Sequence, residues 1–335
     1  MNKKIKPYVR FTSQIIINKT TTAKKQKYKR KYKYKNKNKK IQINTPINKS
    51  FFIIILLMTI YISFKSTLKR RAFDEYKPHK VFIEAHRGVN HEAFQNTKEA
   101  ILLAIKYGLD SFETDTWLSK DNVLVLVHGG YMGDISRYYN RNYKVINTNW
   151  KELSILKTKR GNLSMPRLDE IMELTKNKIF MNLEIKDFRY DLVFPQVVKL
   201  IEKYDYFSQI SISSFHHGYY KKINEYNNNT LGKKISFGFI YGGASNPRHY
   251  PYNLKYNSLN ILWTKVSKDV CKKAHAKGMA VLAWFYMGIN ETKKIYQRLF
   301  DSGVDIICSN DPLNAKKFRY FYYKKKFFEK KNNTV

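Results

Sequence analysis

The chain is short of cysteine, short of acid at its ends, and without an apolar run long enough to cross a bilayer comfortably. Its 335 residues hold only Cys271 and Cys308, which can form no disulfide framework and leave the redox compartment open. Residues 1–50 contain seventeen Lys and Arg and no Asp or Glu, and residues 316–335 contain eight basic residues against one Glu. These ends carry +17 and +7 of the formal +37, leaving +13 for residues 51–315. The charge therefore describes the ends more than the middle, and a nucleic-acid partner is not expected for the central domain. Runs such as KKQKYKRKYKYKNKNKK lack hydrophobic periodicity and repel themselves. Residues 1–49 are expected to be a disordered basic arm, facing acidic lipid or nucleic acid or merely reflecting drift towards Lys, Asn, Tyr and Ile. Residues 316–335 read as a basic C-terminal tail.

The stretch SFFIIILLMTIYISF, residues 50–64, is uncharged and bounded by Lys49 and Lys65. A spanning helix wants roughly 20 apolar residues, so this run suits a signal-peptide core, a short anchor with snorkelling lysines, or a buried helix. Its basic flank and its place just before the first domain strand favour membrane targeting through residues 50–65. The heavier positive charge on its N-terminal side predicts a single-pass, membrane-associated protein with a lumenal or extracellular domain, or a domain secreted after signal cleavage. Lys69, Arg70 and Arg71 argue against that orientation, whereas sequons at Asn162, Asn228, Asn290 and Asn332 are compatible with it.

With 43% apolar residues the 335-residue chain can bury a large core. From residue 80 onward, eight short β-rich runs recur: 81–85, 111–115, 179–185, 209–213, 235–240, 259–263, 279–284 and 305–308. Helical patterns fit 97–107, 168–176, 192–203, 268–277 and 291–301. This β-α alternation over residues 75–315 predicts an α/β fold, a TIM (β/α)8 barrel whose chemistry sits at the C-terminal ends of its strands. A turn and an extra strand ending at His128 make a small insertion after strand 2. No other repeat is visible.

The polar residues fall at those strand ends. His86 and Arg87 follow the first run, while Glu113 and Asp115, two apart on one strand, can face the mouth together and share a cation. Glu184 and Lys186 repeat that spacing at the end of the third run, and Trp284 at the end of the seventh can wall a pocket. Each has a plainer reading: a solvated strand end, a satisfied histidine, a core Trp. Asn96 has capping-box spacing to Glu99. Their coincidence at the strand ends favours a site.

The motifs HRG, NT, ETD, SKD, VLVH, LEIK and GVDIICSNDP, in this order, resemble the glycerophosphodiester phosphodiesterase family over roughly residues 81–315. The resemblance implies a barrel with one divalent cation held by Glu113, Asp115 and Glu184 and acid-base catalysis by His86 and His128. It places Arg87 and Lys186 on the substrate phosphate; Asn96 and Trp284 are the expected pocket residues. Two departures stand out: Gln95 replaces an acid in FQNT, and Gly129 follows His128 where Asp is common.

The chemistry is coherent without the family. A phosphodiester repels nucleophiles, so a cation with Arg87 and Lys186 would neutralise charge growing in the transition state, while one histidine accepts a proton and the other returns one. Oxygen-only ligands suit Mg²⁺ or Ca²⁺. The expected reaction is hydrolysis of a glycerophosphodiester such as glycerophosphocholine to glycerol phosphate and an alcohol. A lysophospholipid substrate cleaved on the same side, or an inactive phosphate-binding barrel, are the alternatives. The sequence does not indicate an oligomeric state.

Overall fold

The computed structural model describes residues 80–230, 232–251 and 257–332. The expected basic arm over 1–49 and the apolar segment 50–65 lie outside the described residues. Among the described residues no helix is long and apolar enough to cross a membrane.

Eight parallel strands close into a barrel. They are β1 (Phe82–Ala85), β2 (Ser111–Leu118), β4 (Phe180–Ile185), β5 (Ile210–Ser214), β6 (Ser236–Tyr241), β7 (Ser258–Leu262), β8 (Ala280–Trp284) and β9 (Ile306–Ser309). The ring closes where β1 pairs both with β2, Glu84 opposite Ser111, and with β9, Ile83 opposite Ile307. Helices coat its outside, so the strands are buried on both faces; all eight residues of β2 are buried. The short β3 (Leu124–Leu126) runs antiparallel to the far end of β2, with Trp117 opposite Val125.

The segment after β3 makes its own small core from Trp117, Val125, Ile135, Tyr139, Val145 and Leu153. It includes the one-turn helix α2 (Trp150–Leu153), whose capping box joins Asn149 and Glu152. This is the expected insertion, and it rigidifies the loop that carries His128.

The first outer helix, α1 (Lys98–Lys106), starts at Thr97, whose hydroxyl accepts from Ala100 N at 3.4 Å. Thr97, and not Asn96, is therefore the cap. Next come α3 (Leu168–Thr175), α4 (Tyr190–Lys203), α5 (Gly218–Asn229), α6 (Lys268–His275), α7 (Lys293–Ser302) and α8 (Pro312–Asn332). Helix α5 shows no clear sequence pattern because it is rich in Asn and polar residues; Tyr219 and Ile223, one turn apart, anchor its buried side.

The segment read as a basic tail forms most of α8. Phe318 packs against Phe300 with ring centroids 5.2 Å apart. Arg319, 5% exposed, donates to Val81 O at 2.9 Å and pairs with Asp110, while Tyr323 accepts from Val81 N at 2.9 Å. Helix α8 thus pins the start of β1 at the barrel end opposite the expected site. Arg319→Met should strand Asp110 and the Val81 carbonyl and cost about 3 kcal/mol in denaturant unfolding. Unchanged stability would show that α8 is a loosely attached appendage.

Candidate functional site

The HRG turn that ends β1 is built by backbone constraint. Arg87 is left-handed at φ 57 and Gly88 at φ 77, and a Cβ on Gly88 would stand 2.7 Å from the Ala100 carbonyl carbon. Only glycine lets the turn press against α1, and that turn aims His86 and Arg87 at the mouth of the barrel. The Arg87 amide donates to Glu113 Oε2 at 2.9 Å.

Glu113 and Asp115 project inward from β2, and the register sets Asp115 beside Glu184 of β4. One carboxylate oxygen from each of the three lies within 4.8 Å of the others, and all three side chains are buried. Like charges this close require compensation. Arg87 Nε stands 3.1 Å from Asp115 Oδ2; Lys186 Nζ donates to Glu184 Oε1 at 2.8 Å and lies 3.7 Å from Asp115 Oδ1. Burial pushes Asp115 up, but Arg87 and Lys186 outweigh it and hold the acid below the usual range. Glu113 is raised well above the ordinary value by burial and by Asp115 and Glu184, and Glu184 is raised by burial in spite of Lys186.

Two cations therefore leave the cluster incompletely satisfied. Glu113 Oε1 and Asp115 Oδ1 are buried without a hydrogen-bond partner. Oxygens of this kind, all carboxylate, in one cluster, fit a hard divalent ion such as Mg²⁺ or Ca²⁺.

The histidines flank the cluster. His86 Nδ1 lies 2.7 Å from Asn310 Oδ1, and Asn310 Nδ2 donates to the Tyr286 carbonyl at 3.0 Å, which fixes the amide with its oxygen towards His86. Nδ1 must then carry the proton, leaving Nε2 as a lone pair 3.9 Å from Glu113 Oε2. His128 Nδ1 lies 3.1 Å from the Tyr138 hydroxyl, and Trp117 Nε1 donates to the His128 carbonyl at 3.0 Å. Burial, first, and the Arg87 charge lower His86 to about 3; burial lowers His128 to about 4 although Asp115 opposes it.

A cavity of about 480 Å³ joins these groups, with His86, Arg87, Glu113, His128, Glu184 and Lys186 on its wall and Trp284 at its rim. Asn96 does not line it. It lies behind, donating to Asp115 Oδ2 at 2.8 Å and accepting from Asp115 N at 3.0 Å, so it orients a carboxylate and does not meet a ligand.

Sequence reasoning passed over the roles of Asn310, whose partner His86 is distant in sequence, of Tyr138, which sits in the irregular insertion, and of Glu84, which precedes the HRG motif. Glu84 is buried below the site, accepting from Asn182 Nδ2 at 3.0 Å and Ser111 Oγ at 3.1 Å. Its two-residue spacing from His86, just past the end of β1, was the available signal, since alternation sends both side chains to the barrel interior.

A profile of the Glycerophosphoryl diester phosphodiesterase family matches residues 86–314. A glycerophosphodiester phosphodiesterase of Caldanaerobacter subterraneus subsp. tengcongensis is 26% identical over 243 residues, covering 70% of this chain and 95% of its own length. One from Bacillus altitudinis is 27% identical over 250 residues, with 72% and 98% covered. In fold, the chain is similar to an Oleispira antarctica phosphodiesterase solved with the product sn-glycerol-3-phosphate, with a TM-score of 0.58 at 21% identity over 71% of this chain and 96% of that one. The family match takes in most of the barrel and every strand-end residue of the cluster, and the chain accordingly belongs to the glycerophosphoryl diester phosphodiesterase family and is a phosphoric diester hydrolase.

Proposed function

We propose that the chain hydrolyses glycerophosphodiesters, glycerophosphocholine among them, in a reaction that depends on a divalent cation and on the pair His86 and His128. One observation carries this reading: a cluster of three buried carboxylates, two of which (Glu113 and Asp115) keep an unsatisfied oxygen, opens through Glu113 and Glu184 onto a cavity that two positioned histidines and two cations also line. Glu113, Asp115 and Glu184 would hold the ion, which when bound supplies Lewis-acid neutralisation of the phosphodiester charge. Arg87 and Lys186 bind the phosphate oxygens and keep them oriented.

The tautomers suggest separate duties. The Nε2 lone pair of His86 accepts the proton of the attacking water or of a neighbouring substrate hydroxyl. His128, protonated on both nitrogens once substrate is bound, donates its Nδ1–H to the Tyr138 hydroxyl and gives its Nε2 proton to the departing alkoxide, returning to neutral imidazole. Burial disfavours its charged form, and the arriving phosphodiester anion favours it. Bond breaking on the head-group side would give glycerol phosphate and an alcohol. The decisive experiment incubates the full chain with glycerophosphocholine, with and without Mg²⁺ or Ca²⁺, and identifies the products by phosphorus NMR. Glycerol with phosphocholine would contradict the regiochemistry.

His128→Ala and His86→Ala should each lower kcat by about 10² to 10⁴ with little change in metal affinity, since an added ion cannot replace a proton carrier. Steady-state kinetics across a metal titration reads both quantities, and parent-like turnover in both variants contradicts the mechanism. Metal binding should also depend on pH with a definite sign. Glu113 and Glu184 are raised, so without the ion the folded state holds protons that the unfolded chain has released, and their contribution to stability falls as pH rises above the ordinary carboxylate value. The ion must displace those protons. The rise in melting temperature caused by Mg²⁺ or Ca²⁺ should therefore be larger at mildly alkaline than at mildly acidic pH; an equal rise at both would show that these acids are not the ligands.

A further inference from the structure

The cavity wall is richer in positive charge than the chemistry at the phosphate needs. Arg87 Nη1 donates to Gln95 Oε1 at 2.6 Å, so its outer nitrogen rests on a neutral amide. Gly129, after His128, adds no carboxylate either. It sits at φ +61, and a Cβ there would stand 3.0 Å from both Gly133 Cα and Trp117 Nε1, so the turn excludes a side chain. Residues 129–149 hold Arg137, Arg141 and Lys144 against one acid, Asp134. That acid is already engaged, accepting from Ser136 N at 2.9 Å and facing Lys144. Arg137 lines the cavity and has no ion pair or hydrogen bond among the described residues.

Formal charges make the imbalance concrete. Arg87, Arg137 and Lys186 offset Glu113, Asp115 and Glu184, so a bound divalent ion leaves a surplus of two, and a phosphodiester removes only one of them. The aromatic rim does not favour a cationic head group. Phe215 and Tyr286 flank Trp284 with centroids at 6.0 and 4.9 Å, but Lys186 Nζ stands 5.5 Å from the Phe215 ring and already occupies that face.

We infer that the pocket selects glycerophosphodiesters whose alcohol carries its own anion, a second phosphate above all, and that Arg137 is the residue that reads it. A guanidinium fork matches a phosphate in bidentate fashion, and within an insertion rigidified by its own small core it stands ready on the cavity wall. The inference rests on the phosphodiesterase reading and goes beyond it in naming the substrate class. Because Arg137 meets the head group and not the reacting atoms, its effect belongs to KM more than to kcat.

Kinetics of the full chain with Mg²⁺ or Ca²⁺ on glycerophosphoinositol, its monophosphorylated form and glycerophosphocholine test this. The first two substrates differ by one phosphate. The phosphorylated form should show a kcat/KM about five- to tenfold above the unphosphorylated one, mostly through KM, as expected of one charge-assisted contact near solvent. It should also exceed glycerophosphocholine. Arg137→Ala should bring the ratio close to unity, Arg137→Lys should keep part of it, and Gln95→Glu, which restores an acid beside Arg87, should lower it. A parent ratio of one or less, or a ratio that survives Arg137→Ala in a protein with parent-like melting, overturns the inference and leaves the phosphodiesterase reading intact. No turnover of any of the three substrates overturns both.

Discussion

Three carboxylates buried within reach of one another are the constraint on which the rest of the site depends. Ionised together in a dry environment they repel, and two cations only partly relieve them. The positions of Arg87 and Lys186, the backbone donation from Arg87 to Glu113, and the Asn96 amide that grips Asp115 from behind all serve to hold that cluster in place. What remains unsatisfied, Glu113 Oε1 and Asp115 Oδ1, is the part that invites an ion. A barrel can bear this arrangement because its stability is vested elsewhere, in the apolar layer between strands and helices and in the clamp of α8 on β1.

The same constraint accounts for the local backbone. A left-handed Arg87 next to Gly88 is costly in an ordinary loop, yet here it is what brings an imidazole, a guanidinium and an amide donor to one strand end. The insertion after β2 and β3 does the corresponding work for His128. Its separate core fixes Tyr138 and Trp117, and these hold the ring and the carbonyl of the histidine. The two histidines thus have unrelated supports, a β9 loop for one and an inserted core for the other.

The strands were legible because period-two spacing forces Glu113 with Asp115, and Glu184 with Lys186, onto one side, and because closed parallel barrels put strand ends to work. The helix α5 was not, since Asn and Lys mask the single pair Tyr219 and Ile223 that buries it. In α8 the charge of a lysine-rich segment hid the apolar and aromatic side, Phe318, Tyr322 and Tyr323, that packs on the barrel. Asn96 was read as a pocket residue because its motif lies near the site, whereas its left-handed backbone turns the amide towards Asp115. The role of Asn310 was out of reach in principle, as a hydrogen bond spanning 224 residues leaves no periodic trace, and that of Tyr138 was hidden because it sits in an insertion without strand or helix periodicity.

The account stands or falls on the carboxylates acting as one ligand set. Calorimetric titration of Mg²⁺ or Ca²⁺ into the parent and into Glu184→Gln measures this directly, because the substitution removes one charge and keeps the side-chain volume. The account predicts one saturable ion per chain in the parent and at least about tenfold weaker binding in the variant, in line with the loss of one charged ligand. Absence of saturable binding in the parent, or equal affinity in the two proteins, would contradict it.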